Sequence, residues 1–160
     1  MKFDLVPGYD AVGEIATLFT EYTAMLVKGD PAFKEYLDMQ GYDDEVAHPA
    51  DKYGMPEGRL YLARQGDAPV GCIALRKLDE ERCELKRLYV RPAYRGHGLG
   101  ERLVRRVMDD ARRIGYKSIM LDTLPFLTTA IGMYHRLGFV DAPRYNDSPL
   151  DDTVYMRFDL

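Results

Sequence analysis

The sequence predicts an α/β protein whose mixed, mostly antiparallel sheet is flanked by helices. The first observation is the order of the apolar patterns, which change between strand and helix periods as βααβββαβαββ. The second is that three strand patterns follow one another between residues 59 and 90 before a helix intervenes, which indicates a meander and then a crossover. The third is size and composition. A chain of 160 residues that is 46% hydrophobic and 30% charged suits a single domain over residues 1–160.

The N-terminal part is predicted to be mainly helical. A short alternating strand over 2–6 ends at Pro7-Gly8, where a turn is favoured. Apolar residues then recur at helical spacing from Val12 to Leu26, and Gly29 ends that helix. Asp30-Pro31 supplies a cap and a first-turn proline for a second, short helix over 33–37.

The segment Gly41–Gly58 has no clear period. Asp43-Asp44-Glu45 is compatible with one helical turn, but His48-Pro49, Gly54 and Pro56 interrupt any longer pattern. We interpret this segment as an irregular or mobile loop and as a candidate lid over a binding site. A plain surface connection is the simpler alternative.

The sheet is predicted from the residues that follow. Strand patterns over 59–64 and 70–77 flank a turn at Gln65–Pro69 and form a hairpin. The third strand covers 84–90 and stops near Arg91, because Pro92 cannot donate to a ladder. The other elements are a helix over 99–114, a strand over 117–122, a helix over 123–137, and strands over 139–142 and 153–158.

A glycine-rich basic loop joins the third meander strand to the helix over 99–114. It contains Arg95, Gly96, His97, Gly98, Leu99 and Gly100. The first N–H groups of a helix lack intrahelical partners, and glycines let the backbone approach a phosphate. The loop therefore predicts an anion site to which Arg95 and Arg91 add positive charge. An ordinary helix start with a flexible lead is the alternative that these residues leave open.

Two common phosphate loops do not fit. A P-loop needs Lys-Ser/Thr after its last glycine, where Glu101-Arg102 stands, and a dinucleotide fingerprint needs a third glycine at Glu101. Arg95-x-x-Gly98-x-Gly100 instead resembles the Arg/Gln-x-x-Gly-x-Gly/Ala signature of the GCN5-related N-acetyltransferases (GNAT). Tyr134-x-x-x-Gly138-Phe139 resembles a second segment of that family. Both motifs occur in the family's element order, so the resemblance implies the acyl-CoA N-acyltransferase fold.

The resemblance implies an enzyme that moves the acetyl group of acetyl-CoA to a primary amine by direct attack in a ternary complex. Residues Arg95 to Gly100 would bind the pyrophosphate, and the backbone of Leu88, Tyr89 and Val90 would bind the pantetheine arm. The family's central strand bulges there, and the N–H of Leu88 would face the thioester carbonyl. Without the resemblance, the residues of this segment favour a regular buried strand.

The resemblance also implies two catalytic side chains. Tyr134 would donate a proton to the departing thiolate, and Glu84 occupies the place of a glutamate base in some members. Glu84 would act through water, since it lies about 13 Å along the strand from Leu88 at roughly 3.3 Å per residue. Asp122 is a lesser base candidate, with a helix cap as its expected role. Leu127 replaces an asparagine common in the family, and Thr128 or Thr129 would supply a hydroxyl instead.

Composition excludes several classes. The net charge of −4 argues against nucleic-acid binding. Cys72 and Cys83 are predicted to be buried free thiols, and the three histidines form no ligand pattern, so no metal site is expected. No membrane segment or signal peptide is predicted, which favours a cytoplasmic protein. A homodimer is compatible with the sequence.

The acceptor stays open at this stage. Arg59, Lys86 and Arg87 favour an acceptor carboxylate, whereas Asp43, Asp44 and Glu45 favour a polyamine or a basic peptide. A small amine is favoured over a protein N-terminus or lysine. Other hypotheses are a CoA-binding regulatory protein without turnover and a nucleotide-binding domain that shares only the loop.

Overall fold

The protein is described by a computed structural model that covers all residues, 1–160. The helices are α1 Val12–Gly29, α2 Phe33–Met39, α3 Tyr42–Ala47, α4 Pro49–Tyr53, α5 Leu99–Ile114 and α6 Thr128–Arg136. The strands are β1 Asp4–Pro7, β2 Arg59–Gln65, β3 Ala68–Lys77, β4 Arg82–Val90, β5 Ser118–Thr123, β6 Val140–Asp141 and β7 Val154–Asp159. No helix combines the length and the apolar character that crossing a membrane requires.

All seven strands form one sheet in the order β1-β2-β3-β4-β5-β7-β6. Every neighbouring pair is antiparallel except β4 and β5, which run parallel on either side of the α5 crossover. The predicted fold class is therefore confirmed. The predicted element order is confirmed as well, with two additional short helices between α2 and β2.

Helices cover both faces of the sheet. On one face, α5 contributes a fully buried stripe at helical spacing, made of Leu103, Val104, Val107 and Ala111. On the other face, α1 packs Ile15, Leu18 and Phe19 against β2 and β3. A third apolar cluster joins α1 and α2 to the end of β5 through Leu26, Phe33 and Leu124. The two faces leave β4 buried at the centre of the molecule.

The segment Gly41–Gly58 was predicted to be an irregular loop, and that prediction is wrong for residues 42–53, which form two short helices. Gly41 adopts a left-handed conformation, with φ at 67°, and starts α3, while Pro49 occupies the first turn of α4. Glu45 and Tyr53 point inward and are buried. Helices of six and five residues are too short to show a sequence period, so the pattern was missed.

The helix predicted over 123–137 begins later, at Thr128. Strand β5 continues to Thr123, because the proline at 125 disfavours helical backbone at Leu124. Asp122 consequently lies in the strand and is not a helix cap. Its carboxylate instead accepts hydrogen bonds from the hydroxyl of Tyr36 and from Asn146.

The backbone of the segment Tyr134–Phe139 requires glycine at position 138. Gly138 has φ at 104°, and a Cβ there would lie 2.9 Å from the Phe158 ring. The tight turn brings Phe139 back against Tyr134, with ring centroids 5.5 Å apart. The turn therefore fixes how Tyr134 sits beside the sheet.

Candidate active site

Strand β4 carries a bulge at its centre. Cys72 of β3 pairs with Tyr89, but Ala74 pairs with Lys86, so Arg87 and Leu88 together stand opposite one residue of β3. Arg87 is the only residue other than glycine with a positive φ, at 60°. The regular strand favoured by the residues alone is therefore wrong. A bulge is present, as the resemblance implied, but at Arg87 and Leu88 and not over Leu88 to Val90.

Strands β4 and β5 pair only at their first residues. Arg82, Cys83 and Glu84 pair with β5, after which the two strands separate while each keeps its other neighbour. The separation opens a cleft of about 530 Å³, including its opening to solvent. Its polar lining includes Lys86, Arg87, Asp122, Thr123, Tyr134 and Thr153, and its apolar lining includes Tyr22, Leu26, Phe33, Leu88, Leu124 and Leu127.

A buried ion pair holds the bulge. Arg87 donates to both carboxylate oxygens of Glu45, at 2.7 and 3.0 Å, and Lys52 donates to Glu45 at 2.8 Å. Burial alone would raise the pKa of Glu45, but the charges of Arg87 and Lys52 outweigh it and lower that pKa to about 2. Arg87 also lies 5.4 Å from the centroid of the Tyr42 ring. Helix α3 thus anchors the strained residue of β4.

The loop before α5 presents a row of unpaired donors. None of the six amide N–H groups from Gly96 to Glu101 donates a hydrogen bond within the protein. Gly96 and Gly98 have φ values of 83° and 79°, which only glycine adopts without strain. The loop continues directly into the N-terminus of α5, where the helix dipole is positive. This arrangement suits an anion.

The two arginines near this loop have different positions. Arg95 is exposed at the end of β4, where its Nε donates to the carbonyl of Val90 at 2.8 Å. Arg91 instead makes a bidentate ion pair with Glu21 of α1, at 2.7 and 3.0 Å, and donates to the carbonyl of Pro69. Arg91 therefore joins α1 to the sheet, and Arg95 is the arginine with donors left for an anion.

Comparison with known proteins agrees with this geometry. The model of the acetyltransferase (GNAT) family matches residues 28–139, more than half of the chain. An N-acetyltransferase of Schizosaccharomyces pombe, itself uncharacterised, is 40% identical over 126 residues, which cover 78% of this chain and 77% of that protein. The chain belongs to the GNAT family. As a member of this family, the protein is an acetyl-CoA-dependent N-acetyltransferase.

Solved structures share the fold. The PaiA N-acetyltransferase of Thermoplasma acidophilum, in complex with coenzyme A, superposes with a TM-score of 0.77 over the whole of both chains at 15% identity. A GNAT acetyltransferase of Elizabethkingia anophelis with acetyl-CoA bound gives a TM-score of 0.56 at 23% identity, over 65% of this chain and 77% of that chain. At these identities the similarity shows only that the GNAT protein shares its fold with these structures.

Tyr134 projects from α6 into the cleft. The side chain is 5% exposed, and its hydroxyl makes no hydrogen bond within the protein. Burial raises the pKa of Tyr134, so the phenol keeps its proton in the resting protein. Leu88 lines the same cleft from the bulge. The structure therefore brings together these two residues that the resemblance singled out.

Glu84 lies away from the cleft lining. It is 2% exposed, Arg76 donates to one of its oxygens at 2.7 Å, and the hydroxyl of Tyr145 donates to the other at 2.5 Å. Burial would raise its pKa, but the charges of Lys86 and Arg76 and the bond from Tyr145 lower it. A carboxylate so well satisfied is a weak proton acceptor.

Asp122 lines the cleft directly and belongs to a cluster that the sequence did not predict. Tyr36 and Asn146 both donate to its Oδ2, the latter at 2.7 Å, and Tyr155 donates to Asn146 at 2.9 Å. Asn146 comes from the loop between β6 and β7, 24 residues from Asp122 along the chain. Only the folded sheet brings these residues together, so no local pattern signals the cluster.

Other candidates from the sequence lie elsewhere. Arg59 donates to the carbonyls of Pro56 and Gly58 and does not line the cleft. Thr128 and Thr129 are exposed on α6 outside the cleft lining, while Leu127 is part of it. Leu127 therefore lines the cleft, and neither Thr128 nor Thr129 supplies a hydroxyl there.

The stability of this site is expected to depend on pH through Glu45. Its folded pKa of about 2 lies below the ordinary 4.5, so its stabilising effect is complete above about 4.5 and disappears as pH falls toward 2. We expect Glu45→Gln to be about 3 kcal/mol less stable than wild type at pH 7, because Arg87 then lacks its buried counter-charge. Urea denaturation between pH 7 and 2 should show this difference shrinking with acid.

The matched control is Glu14→Gln, which removes a half-exposed carboxylate paired with Arg64 at 2.7 Å. We expect a change of under about 1 kcal/mol from this variant. A difference between Glu45→Gln and wild type that stays constant down to pH 2 would contradict the assigned role of Glu45.

Proposed function

We propose that this GNAT protein transfers the acetyl group of acetyl-CoA to the primary amine of a small molecule, by direct attack within a ternary complex. The observation that carries the proposal is the run of six unpaired N–H groups, Gly96–Glu101, in the loop that joins β4, a wall of the cleft, to α5. An anionic end of the donor suits the loop, and an extended arm suits the unpaired edge of β4.

On the donor side, recognition relies mainly on backbone. The pyrophosphate lies against residues Arg95, Gly96, His97, Gly98, Leu99 and Gly100 in this proposal. The pantetheine arm then follows the edge of β4 over Leu88, Tyr89 and Val90, which β5 leaves unpaired. The N–H of Leu88, at the bulge, faces the thioester carbonyl and stabilises the negative charge that develops there.

The transfer step needs two proton movements. The neutral amine nitrogen attacks the thioester carbon, and the new C–N bond forms as the C–S bond breaks. The nitrogen loses a proton, and the departing thiolate gains one from the hydroxyl of Tyr134. An acceptor that arrives as an ammonium therefore releases one proton to solvent overall, and Tyr134 is reprotonated before the next cycle.

Two carboxylates are proposed for the amine side. Glu84, indicated by the resemblance, reaches the amine only through Tyr145 or water, because both of its oxygens are already bonded. Asp122 lines the cleft and accepts only from the neutral groups of Tyr36 and Asn146. The geometry therefore favours Asp122 as the group that receives the proton, with Glu84 orienting Tyr145.

The donor assignment is tested by calorimetric titration with acetyl-CoA, ATP and NAD. We expect micromolar binding of acetyl-CoA and much weaker binding of the other two. Arg95→Ala should weaken acetyl-CoA binding about 10–100-fold, as expected when one charge-assisted hydrogen bond is lost. The control is Arg113→Ala, which removes an exposed arginine at the far end of α5. No binding, or equal binding of ATP, would refute the proposed function.

The proton donor is tested with Tyr134→Phe. Because only the hydroxyl is removed, we expect kcat to fall about 10²–10³-fold while the KM for acetyl-CoA changes little. Tyr116→Phe removes another hydroxyl, bonded to the carbonyl of Glu57, and should leave kcat unchanged. Steady-state rates of CoA release provide the measurement. A kcat unaffected by Tyr134→Phe would remove Tyr134 from the chemical step.

The roles of Asp122 and Glu84 are distinguished with neutral variants of equal size. We expect Asp122→Asn to lower kcat/KM for the amine about 10²–10⁴-fold, the usual contribution of a general base. Glu84→Gln should lower it less than tenfold, since Glu84 does not line the cleft. Rates measured across pH with both variants decide the assignment, and a larger loss in Glu84→Gln than in Asp122→Asn would reverse it.

A further inference from the structure

The acceptor side of the cleft contains a cation without an ionic partner. Lys86 is 6% exposed and lines the cleft, yet the only hydrogen bond of its ammonium group goes to the side-chain oxygen of Gln40, at 3.0 Å. Arg87 donates to the same oxygen at 3.0 Å. One neutral amide oxygen thus serves two buried cations. A buried ammonium in such surroundings is strongly stabilised by an added anion.

The carboxylates nearby are already used by other cations. Glu45 is bound by Arg87 and Lys52, and Glu84 by Arg76. None of these carboxylates makes a direct ion pair with Lys86, whose charge reaches Glu84 only at longer range, where it helps to lower the pKa of that carboxyl. The acidic residues of α3 do not support a polyamine acceptor, because Glu45 points inward to Arg87 while Asp43 and Asp44 are exposed.

Asp122 carries the opposite charge to Lys86 and also lacks an ionic partner. It lines the same cleft, and its partners Tyr36 and Asn146 are neutral. Tyr36 lies between the two charges: Lys86 Nζ is 5.9 Å from the centroid of its ring, and its hydroxyl donates to Asp122. The cleft therefore presents one positive and one negative group, separated by a tyrosine ring, and each lacks an ionic partner.

We infer that the acceptor is a small zwitterion, an amine that also carries a carboxylate, as in an α-amino acid. Its carboxylate binds Lys86, and its amino group lies against Asp122, where it loses its proton before attack. The apolar wall of Leu26, Phe33 and Leu124 favours an aliphatic or aromatic side chain on this molecule. This inference rests on the proposed function, and it narrows the substrate class of the same site.

The test uses matched amines that differ only in the carboxylate. Initial rates of CoA release are measured for leucine, phenylalanine and methionine, and for the amide of each. We expect wild-type kcat/KM to be at least about tenfold higher for the amino acids. This preference runs against intrinsic reactivity, because the amides lose their ammonium proton more readily, so it reports recognition of the carboxylate.

Lys86→Met then removes the charge while keeping most of the volume. We expect the KM for the amino acids to rise at least about tenfold, with the rates for the amides and the KM for acetyl-CoA little changed. Lys117→Met is the control, since it removes an exposed lysine paired with Glu81 outside the cleft. An unchanged acetyl-CoA KM shows that Lys86→Met is folded.

Several outcomes would overturn the inference while leaving the proposed function standing. They are equal rates for amino acids and amides, a preference that survives Lys86→Met, no reaction of any amino acid although acetyl-CoA binds, and faster acetylation of spermidine than of any amino acid. Failure to bind acetyl-CoA at all would refute the proposed function, and the inference with it.

Discussion

The buried ion pair between Arg87 and Glu45 joins the central strand to the short helix α3. Arg87 has a left-handed backbone, which costs of order 1–2 kcal/mol in a residue with a side chain. The bulge persists because the guanidinium is held by two oxygens of one carboxylate, which Lys52 binds as well. The bulge in turn places Leu88 at the cleft and leaves the end of β4 unpaired by β5. The geometry of the site thus depends on an ion pair outside the reacting atoms.

The cleft has two sides that recognise ligands by different means. Toward α5, the available groups are backbone N–H donors and the open edge of β4, together with one arginine side chain. Toward α1, α2 and the loop between β6 and β7, the available groups are side chains, above all Lys86, Asp122 and Tyr36. Tyr134 lies where the two sides meet. In the proposed function, the side toward α5 binds the acyl donor and the opposite side binds the acceptor.

The fold and the glycine-rich loop before α5 could be predicted from sequence because their signals are local. The strand, glycine loop and helix over residues 84–114 are continuous, and the Tyr134–Phe139 turn needs its glycine within six residues. The resemblance indicated a bulge in this strand over Leu88 to Val90 but not the left-handed Arg87, since apolar residues suit a regular strand equally well. Helices α3 and α4 were too short for a period. The Tyr36–Asp122–Asn146 cluster joins residues up to 110 positions apart, and no sequence pattern records such a contact.

The row of free N–H groups over Gly96–Glu101 has a consequence for how such a protein diverges. Backbone donors are the same whatever side chains surround them, provided that glycine occupies the two positions with positive φ. Most substitutions near the loop therefore leave these N–H groups available to a ligand. Exchange of a few side chains on the opposite wall, by contrast, changes charge and shape without disturbing the donor. The same scaffold can thus acquire a new acceptor in small steps and remain a competent acetyltransferase at each of them.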